Sequence, residues 1–391
     1  MATFCTPGHI EKAIGSFDRI GELLKTLGGK KALVIMDAFL ASPQVGLNSR
    51  AKTILDKMSI DSEFYTGIVG EPTSEQVEAG TALINSAKCD SVIAIGGGSA
   101  IDTAKAIAVK ALNPDLAFSD IAKQSHLKRL ALIAVPTTAG TGSEATRVSV
   151  ITNLKTGIKE NPGHPAMIPD IAVLDAGLML TLPANMTAFT GMDALAHAME
   201  AYVSNKANDL TDLFAYEAMK IIGSALPEAY ANGLNETARQ QMATASCFAG
   251  IAFSNSSTNL AHAGGRALGA KFHIPHGLSV ALLLPFVMEF GLAAAEERYA
   301  RVAVALGAEP GTDNASLAMQ AVKIVYGYND TFGVWAETKK KYIPDLNELK
   351  KAIPEMVKNA LAGNGILTNP VIPNETDVER VFTGLAEKLA K

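Results

Sequence analysis

Four short apolar runs, each closed by a polar, proline or glycine-bearing segment, constrain what this chain can fold into. Lys31 to Met36 (KALVIM) ends at Asp37, and Ser91 to Ile95 (SVIAI) runs straight into Gly96-Gly97-Gly98. Leu130 to Val135 ends at Pro136, and Ile171 to Leu174 closes the series. Each reads as a strand. Helical patterns fall between the first of them, over Ser74 to Ala87 and Ile101 to Ala111. Short buried strands alternating with helices predict a parallel sheet covered on both faces. Past Leu182-Pro183 strand-like runs become scarce. Alanine-rich amphipathic segments take over at Gly191 to Tyr202, Asp209 to Ile222, Glu236 to Phe253, Leu278 to Ala295 and Glu297 to Leu306. The expected architecture is an α/β N-terminal domain over residues 1–181 and an all-α C-terminal domain over 182–391, with no internal repeat.

Composition narrows the function classes. A length of 391 residues suits two or three domains. With 48% apolar and 19% charged residues the chain has the make-up of a globular protein. Its net charge of −5 gives no basic face of the kind nucleic acid requires, so no nucleic-acid partner is expected. Cys5, Cys89 and Cys247 are widely spaced and form no CxxC pair, which points away from a disulfide framework or thiolate zinc site. Met1 to Lys12 contains Pro7, Gly8 and Glu11 and no long apolar run, so no secretory leader is expected. Leu278 to Ala295 is interrupted by Pro285, Glu289 and Gly291 and reads as a buried helix, not a membrane span. Together these lead to the expectation of a cytoplasmic protein without a membrane partner.

Two loops follow strands. Gly96-Gly97-Gly98-Ser99 precedes a helix that carries Asp102 and Lys105 on its first turns. A helix N-terminus presents unpaired N–H groups and partial positive charge, and glycine lets a pyrophosphate approach the backbone. The run GGGSAID lacks the GxGxxG fingerprint, and the best strand-end acid, Asp37, precedes the glycines instead of following them by about 20 residues. A dinucleotide site here is therefore a variant one; the other reading is a tight strand-to-helix turn. Pro136 to Glu144 (PTTAGTGSE) could line the same cleft or simply turn the chain.

Asp193 and His197 stand four residues apart in GMDALAHAME, on one helix face. His262, His273 and His276 follow in HAGGRALGAKFHIPHG. One carboxylate with neutral imidazoles suits a divalent transition metal. An Asp/His pair at this spacing also occurs as a surface or capped core pair, and a His in Pro-His-Gly also occurs as a turn residue.

These motifs together resemble the iron-containing (group III) alcohol dehydrogenases along nearly the whole chain. The carriers are GGGSAIDTAK (Gly96 to Lys105), PTTAGTGSE, GMDALAHAMEAYVS (Gly191 to Ser204) and the block from His262 to Gly277. The resemblance implies a Rossmann-like, dinucleotide-binding N-terminal domain and a helical metal-binding and substrate domain, with the active site between them. It implies Asp193, His197, His262 and His276 as ligands of Fe²⁺, sometimes zinc or another divalent ion. Gly97, Gly98 and Ser99 would contact the pyrophosphate. Asp102, Thr137, Thr138, Ser143 and Lys159 fall at cofactor-side positions, and Phe253 at the substrate and nicotinamide pocket. Asp37 falls where an acid accepts the adenosine ribose hydroxyl, which favours NAD over NADP because an acid repels a 2′-phosphate. A homo-oligomer is implied as well.

Two departures from the family pattern stand out. Arg266 replaces a second histidine, and Ser256-Ser257-Thr258-Asn259 replaces a glycine-rich stretch. Both put donors near the expected pocket. A guanidinium forks onto oxyanions, so an aldehyde with an anionic tail, such as sulfoacetaldehyde, is one expectation. The other is that Arg266 pairs with a protein carboxylate or the cofactor. The implied chemistry is hydride transfer between nicotinamide and a carbinol or carbonyl carbon, with the metal as Lewis acid. His273 is a candidate proton relay, alongside a cofactor hydroxyl with water, or it is a solvated rim residue. The segment Glu160 to Met167, with His164, has no assigned role. The rivals are a glycerol dehydrogenase- or dehydroquinate synthase-like enzyme and a catalytically silent NAD-binding protein.

Overall fold

The structure is a computed structural model that describes residues 3–311 and 313–391. The first two residues of the N-terminal stretch read for a leader therefore lie outside the described residues. The chain forms two compact units, one through Thr138 with Gly142–Leu180, the other Ala139–Thr141 with Thr181–Lys391.

The first unit is built on strands β1 (His9–Lys12), β2 (Lys31–Asp37), β3 (Asp61–Ile68), β4 (Ser91–Gly96), β5 (Ala131–Pro136) and β8 (Ile171–Leu174), in the order β1-β8-β5-β4-β2-β3. All neighbours are parallel. Register is set by alternation. Val34, Met36, Ile93, Ile95, Ile133 and Val135 enter one apolar layer with Phe17, Ile20 and Leu24. Leu33, Ile35, Val92, Ala94, Leu132 and Ala134 enter the other with Ile101, Ala104 and Ile107. Strands buried on both faces need apolar residues at every position, which is why the central runs are unbroken. The covering helices are α1 (Ile20–Thr26), α2 (Leu47–Lys57), α3 (Ser74–Ala87) and α4 (Gly98–Lys110). Strands β6 (Ile151–Asn153) and β7 (Ile158–Glu160) form a separate antiparallel hairpin.

The second unit is helical: α5 (Ala184–Val203), α6 (Asp209–Ala231), α7 (Glu236–Asn255), α8 (Leu260–Phe272), α9 (His276–Gly291), α10 (Glu296–Ala305), α11 (Asn314–Thr331), α12 (Val334–Lys341), α13 (Leu346–Leu361) and α14 (Glu375–Ala390). Helix α5 packs on α6, α7 and α9 and is buried on all sides over Gly191–Val203. A helix enclosed this way has no polar face to give to water, so any charged residue on it must find its partner inside. The stretch His276–Ala294 is long and apolar enough to cross a membrane by length and composition. Its most apolar window is 61% buried within the structure, the state of a core helix.

Candidate metal centre and cofactor loops

Helix α5 carries Asp193, His197 and Glu200 at i, i+4 and i+7, one stripe along its buried length. Helix α9 begins with His276 directly over α5. Gly277 makes that approach possible, because a Cβ there would lie 2.3 Å from Phe189 O and 3.3 Å from Asp193 Cβ. Helix α8 brings His262 in its first turn. Its N-cap, Asn259, makes no capping side-chain bond. The buried donors of that turn, which have no intrahelical acceptor, are met from elsewhere: Leu260 N–H donates to Asn369 Oδ1 at 3.1 Å and Ala261 N–H to Glu200 Oε1 at 2.7 Å.

Three side chains converge. His262 Nε2 lies 3.4 Å and His276 Nε2 3.7 Å from Asp193 Oδ1. One ligand atom from each of Asp193, His262 and His276 lies within 4.8 Å of the others. Asp193 is 2% exposed, yet Asp193 Oδ1 and His262 Nε2 make no hydrogen bond. A buried carboxylate oxygen without a partner is costly. Oxygen and imidazole ligands about 2.0–2.2 Å from one divalent ion stand at separations of this size, so the donor set fits such an ion. His197 is not in the close triad. Its Nδ1 lies 3.3 Å from Gly140 O and 3.8 Å from Asp193 Oδ2. Its ring stacks between Phe253 and His262, with centroids 4.2 Å away on each side.

The electrostatics follow from this crowding. Burial works to raise the Asp193 carboxyl, but the three imidazoles outweigh it and hold the group well below the usual carboxylate range. Burial, with the other imidazoles, depresses His197 to about 3 despite Asp193. His262 is also penalised by burial, yet Glu200 and Asp193 lift it to about 9.

In the first unit the loops meet at the carboxyl ends of parallel strands. Gly96 has φ +154°, and a Cβ there would lie 2.7 Å from Ala100 Cβ and 3.6 Å from Asp37 Oδ2. Asp37 Oδ1 accepts the Leu40 N–H at 3.0 Å. Gly97 caps α4 with no side-chain hydrogen bond, so the first-turn N–H groups of Gly98 and Ser99 have no intrahelical partner. Thr137 N–H donates to Gly96 O at 3.0 Å, and Thr138 Oγ1 lies 3.5 Å from where a Gly97 Cβ would stand. The carboxyl ends of parallel strands are where such sheets bind nucleotides.

Other expected residues have partners inside the protein. Asp102 Oδ2 accepts the Val150 N–H at 2.9 Å, and the Asp102 carboxylate also bonds Ser143. Lys159 sits on β7 with its ammonium 2.6 Å from Glu71. His164 Nδ1 accepts the Ala166 N–H at 3.0 Å, so it serves its own loop. His273 is an exposed left-handed residue closing α8.

The polar stretch before α8 also bonds within the protein. Ser256 donates to main-chain carbonyls, Ser257 to Thr258 O, and Asn259 to Glu200 O. Arg266, one turn after His262 and half-buried, makes no hydrogen bond or ion pair among the described residues. Its Nη2 lies 3.5 Å from where a Gly363 Cβ would stand. Burial lowers its pKa, and Glu200 opposes the shift. Sequence reasoning missed Glu200. The i, i+4, i+7 spacing from Asp193 was the available signal.

A doubly covered parallel sheet with an open glycine turn, and a helical unit with a carboxylate–imidazole cluster, define a class of metal- and nucleotide-using oxidoreductases. A family model described as iron-containing alcohol dehydrogenase matches residues 7–176, and one described as Fe-containing alcohol dehydrogenase family, C-terminal, matches 187–385. The chain is 41% identical to the probable alcohol dehydrogenase EutG of Escherichia coli (strain K12) over 81% of its own length and 80% of that protein's. Its fold matches that of a 1,3-propanediol oxidoreductase with a TM-score of 0.93 at 32% identity, covering 98% of this chain and 100% of the other. It matches a sulfoacetaldehyde reductase from Bifidobacterium kashiwanohense, solved with NAD+, with a TM-score of 0.86 at 28% identity over 99% of each chain. The chain belongs to the iron-containing alcohol dehydrogenase family and is an oxidoreductase of that kind.

Proposed function

We propose that this enzyme interconverts a small aliphatic alcohol and its aldehyde using NAD and a divalent metal, ferrous iron first among the candidates. The observation that carries the reading is the triad of buried Asp193 and His262 with the more exposed His276, in which, among the described residues, the facing Asp193 Oδ1 and His262 Nε2 lack a hydrogen-bond partner. When bound, the metal supplies Lewis acidity at the substrate oxygen and the nicotinamide supplies the hydride chemistry. Asp193, His262 and His276 hold the ion, with His197 as a fourth contributor kept in place by Gly140 O and by stacking on Phe253. Residues 1–181 serve the dinucleotide and 182–391 the metal and substrate. Backbone N–H groups of Gly97, Gly98 and Ser99 receive the pyrophosphate, with Thr137 and Thr138 beside them. Asp37 Oδ2 accepts the adenosine ribose hydroxyl and repels a 2′-phosphate, which selects NAD. Asp102, Ser143 and Lys159 border this site, and Phe253 lines the pocket. His273, exposed just past the end of α8, passes the proton to solvent. The working form is a cytoplasmic homo-oligomer.

Arg266 favours a finer reading, an aldehyde with an anionic tail. It is a guanidinium without a carboxylate partner, one turn from His262, and a fold neighbour reduces sulfoacetaldehyde. The test is NADH absorbance with propanal, lactaldehyde, succinic semialdehyde and sulfoacetaldehyde on iron-loaded enzyme. Turnover of at least one is expected, with the anionic aldehydes preferred. Arg266→Ala should lower kcat/KM for the anionic pair by about 10–100-fold, the worth of a charged hydrogen bond, and spare propanal. No NADH turnover with any aldehyde overturns the main reading; an unchanged anionic-to-neutral ratio overturns only the finer one.

A further inference from the structure

Glu200 is a buried carboxylate, 3% exposed, that none of the chemistry above uses. Both of its oxygens are engaged by a single helix turn. Oε1 accepts the Ala261 N–H at 2.7 Å and Oε2 stands 2.5 Å from His262 Nδ1. The backbone of Glu200 joins in, since Asn259 Nδ2 donates to Glu200 O at 3.0 Å. Helix α5, which supplies Asp193, therefore also fixes the first turn of α8, which supplies His262. A carboxylate accepts only, so the nitrogen it faces must carry the hydrogen. In the neutral ring that a metal binds, this leaves the lone pair on Nε2, the atom 3.4 Å from Asp193 Oδ1.

We propose that Glu200 is the positioning residue of the metal centre, holding His262 with Nδ1–H turned to Glu200 and the Nε2 lone pair turned to the ion. A cap alone would need one oxygen on one N–H. The second oxygen, on the imidazole, is what a cap does not explain. Hydrogen bonding of the far nitrogen of a metal-binding histidine to a carboxylate sets ring orientation and tautomer and strengthens the ligand. The inference rests on the metal reading given above, and it adds a residue that does not itself touch the ion.

The variant Glu200→Gln separates the two roles. Its side-chain oxygen can stay on the Ala261 N–H while its amide presents a donor to Nδ1. Nδ1 then has to accept, and the hydrogen moves to Nε2, where it blocks the ligand lone pair. Metal-free wild type and E200Q are titrated with Co²⁺, read by visible absorption and by competition with a chelator. Loss of the helix cap alone would change melting without changing Co²⁺ affinity. The expected result is Co²⁺ affinity weaker by about 10–100-fold in E200Q. Binding within twofold of wild type, with the same spectrum, overturns the Glu200 proposal and leaves the metal reading standing. Wild type that binds no Co²⁺ overturns both. Should E200Q fail to fold, nitrogen NMR of Zn²⁺-loaded wild type decides: His262 is expected to keep its hydrogen on Nδ1, and coordination through Nδ1 overturns the proposal.

Discussion

Each unit buries an aspartate deep in a helix-lined interior, and the two are treated in opposite ways. Asp102 in the first unit meets a cation supplied by the chain. Lys105, one turn on and 0% exposed, lies 3.4 Å from Asp102 Oδ1. Lys105 Nζ also donates to Thr146 Oγ1 and Val148 O, each at 2.8 Å. Burial pushes the Asp102 carboxyl up and the Lys105 ammonium down, and each charge opposes the other's shift. The set is closed, with hydrogen bonds for both ions, as a buried pair requires. Asp193 in the second unit has imidazoles around it and, among the described residues, no lysine or arginine bonded to it, and Oδ1 is left over. A closed buried charge is scaffold. An open one, ringed by neutral-capable nitrogens, is a place for an ion from outside.

The contrast can be broken by exchanging the treatments. Lys105→Met strands Asp102 without its cation and should destabilise the protein by about 3–5 kcal/mol, read as a lowered urea midpoint. Adding Asp102→Asn should recover part of the loss. An unchanged midpoint in Lys105→Met would show that the pair is not what closes this site.

A smaller effect is expected at Glu144, 1% exposed in the first unit, whose carboxyl burial raises to about 7 against the opposing charge of Lys105. The folded protein keeps this proton where the unfolded chain, at about 4.5, has released it. The contribution is present in full below pH 4.5 and is lost as pH rises through 7. The loss is about 3 kcal/mol at most. Glu144→Gln should flatten that part of the stability–pH curve, and an unaltered slope would count against the shift. The smallest effect is expected at the open site. Asp193→Asn in metal-free protein should lower stability by about 1 kcal/mol, because it removes a carboxylate whose charge the surrounding imidazoles favour in the fold.

Legibility in the sequence followed burial. Strands β2, β4 and β8 stand out because both faces are covered, and KALVIM and SVIAI leave no other reading. The edge strands β1 (HIEK) and β3 (DSEFYTGI) are half-exposed, and their mixed composition hides them. Helix α8 is masked by Gly264 and Gly265, which weaken a helical pattern; here they admit close packing, Gly265 against Val280. The convergence of His262 and His276 on Asp193 needed three helices in place, which spacing along a chain cannot show. Asp102 shows a second limit of spacing along the chain. Its place beside the glycine turn suggests the cofactor, while Val150, its partner at 2.9 Å, is 48 residues away.

The central claim is that the Asp193 cluster is open because it holds a metal. The direct measurement is metal content per chain after anaerobic purification and iron loading, in wild type and Asp193→Asn. About one iron per wild-type chain and close to none in the variant is the predicted result. Equal content in the two proteins, or none in wild type, would contradict it.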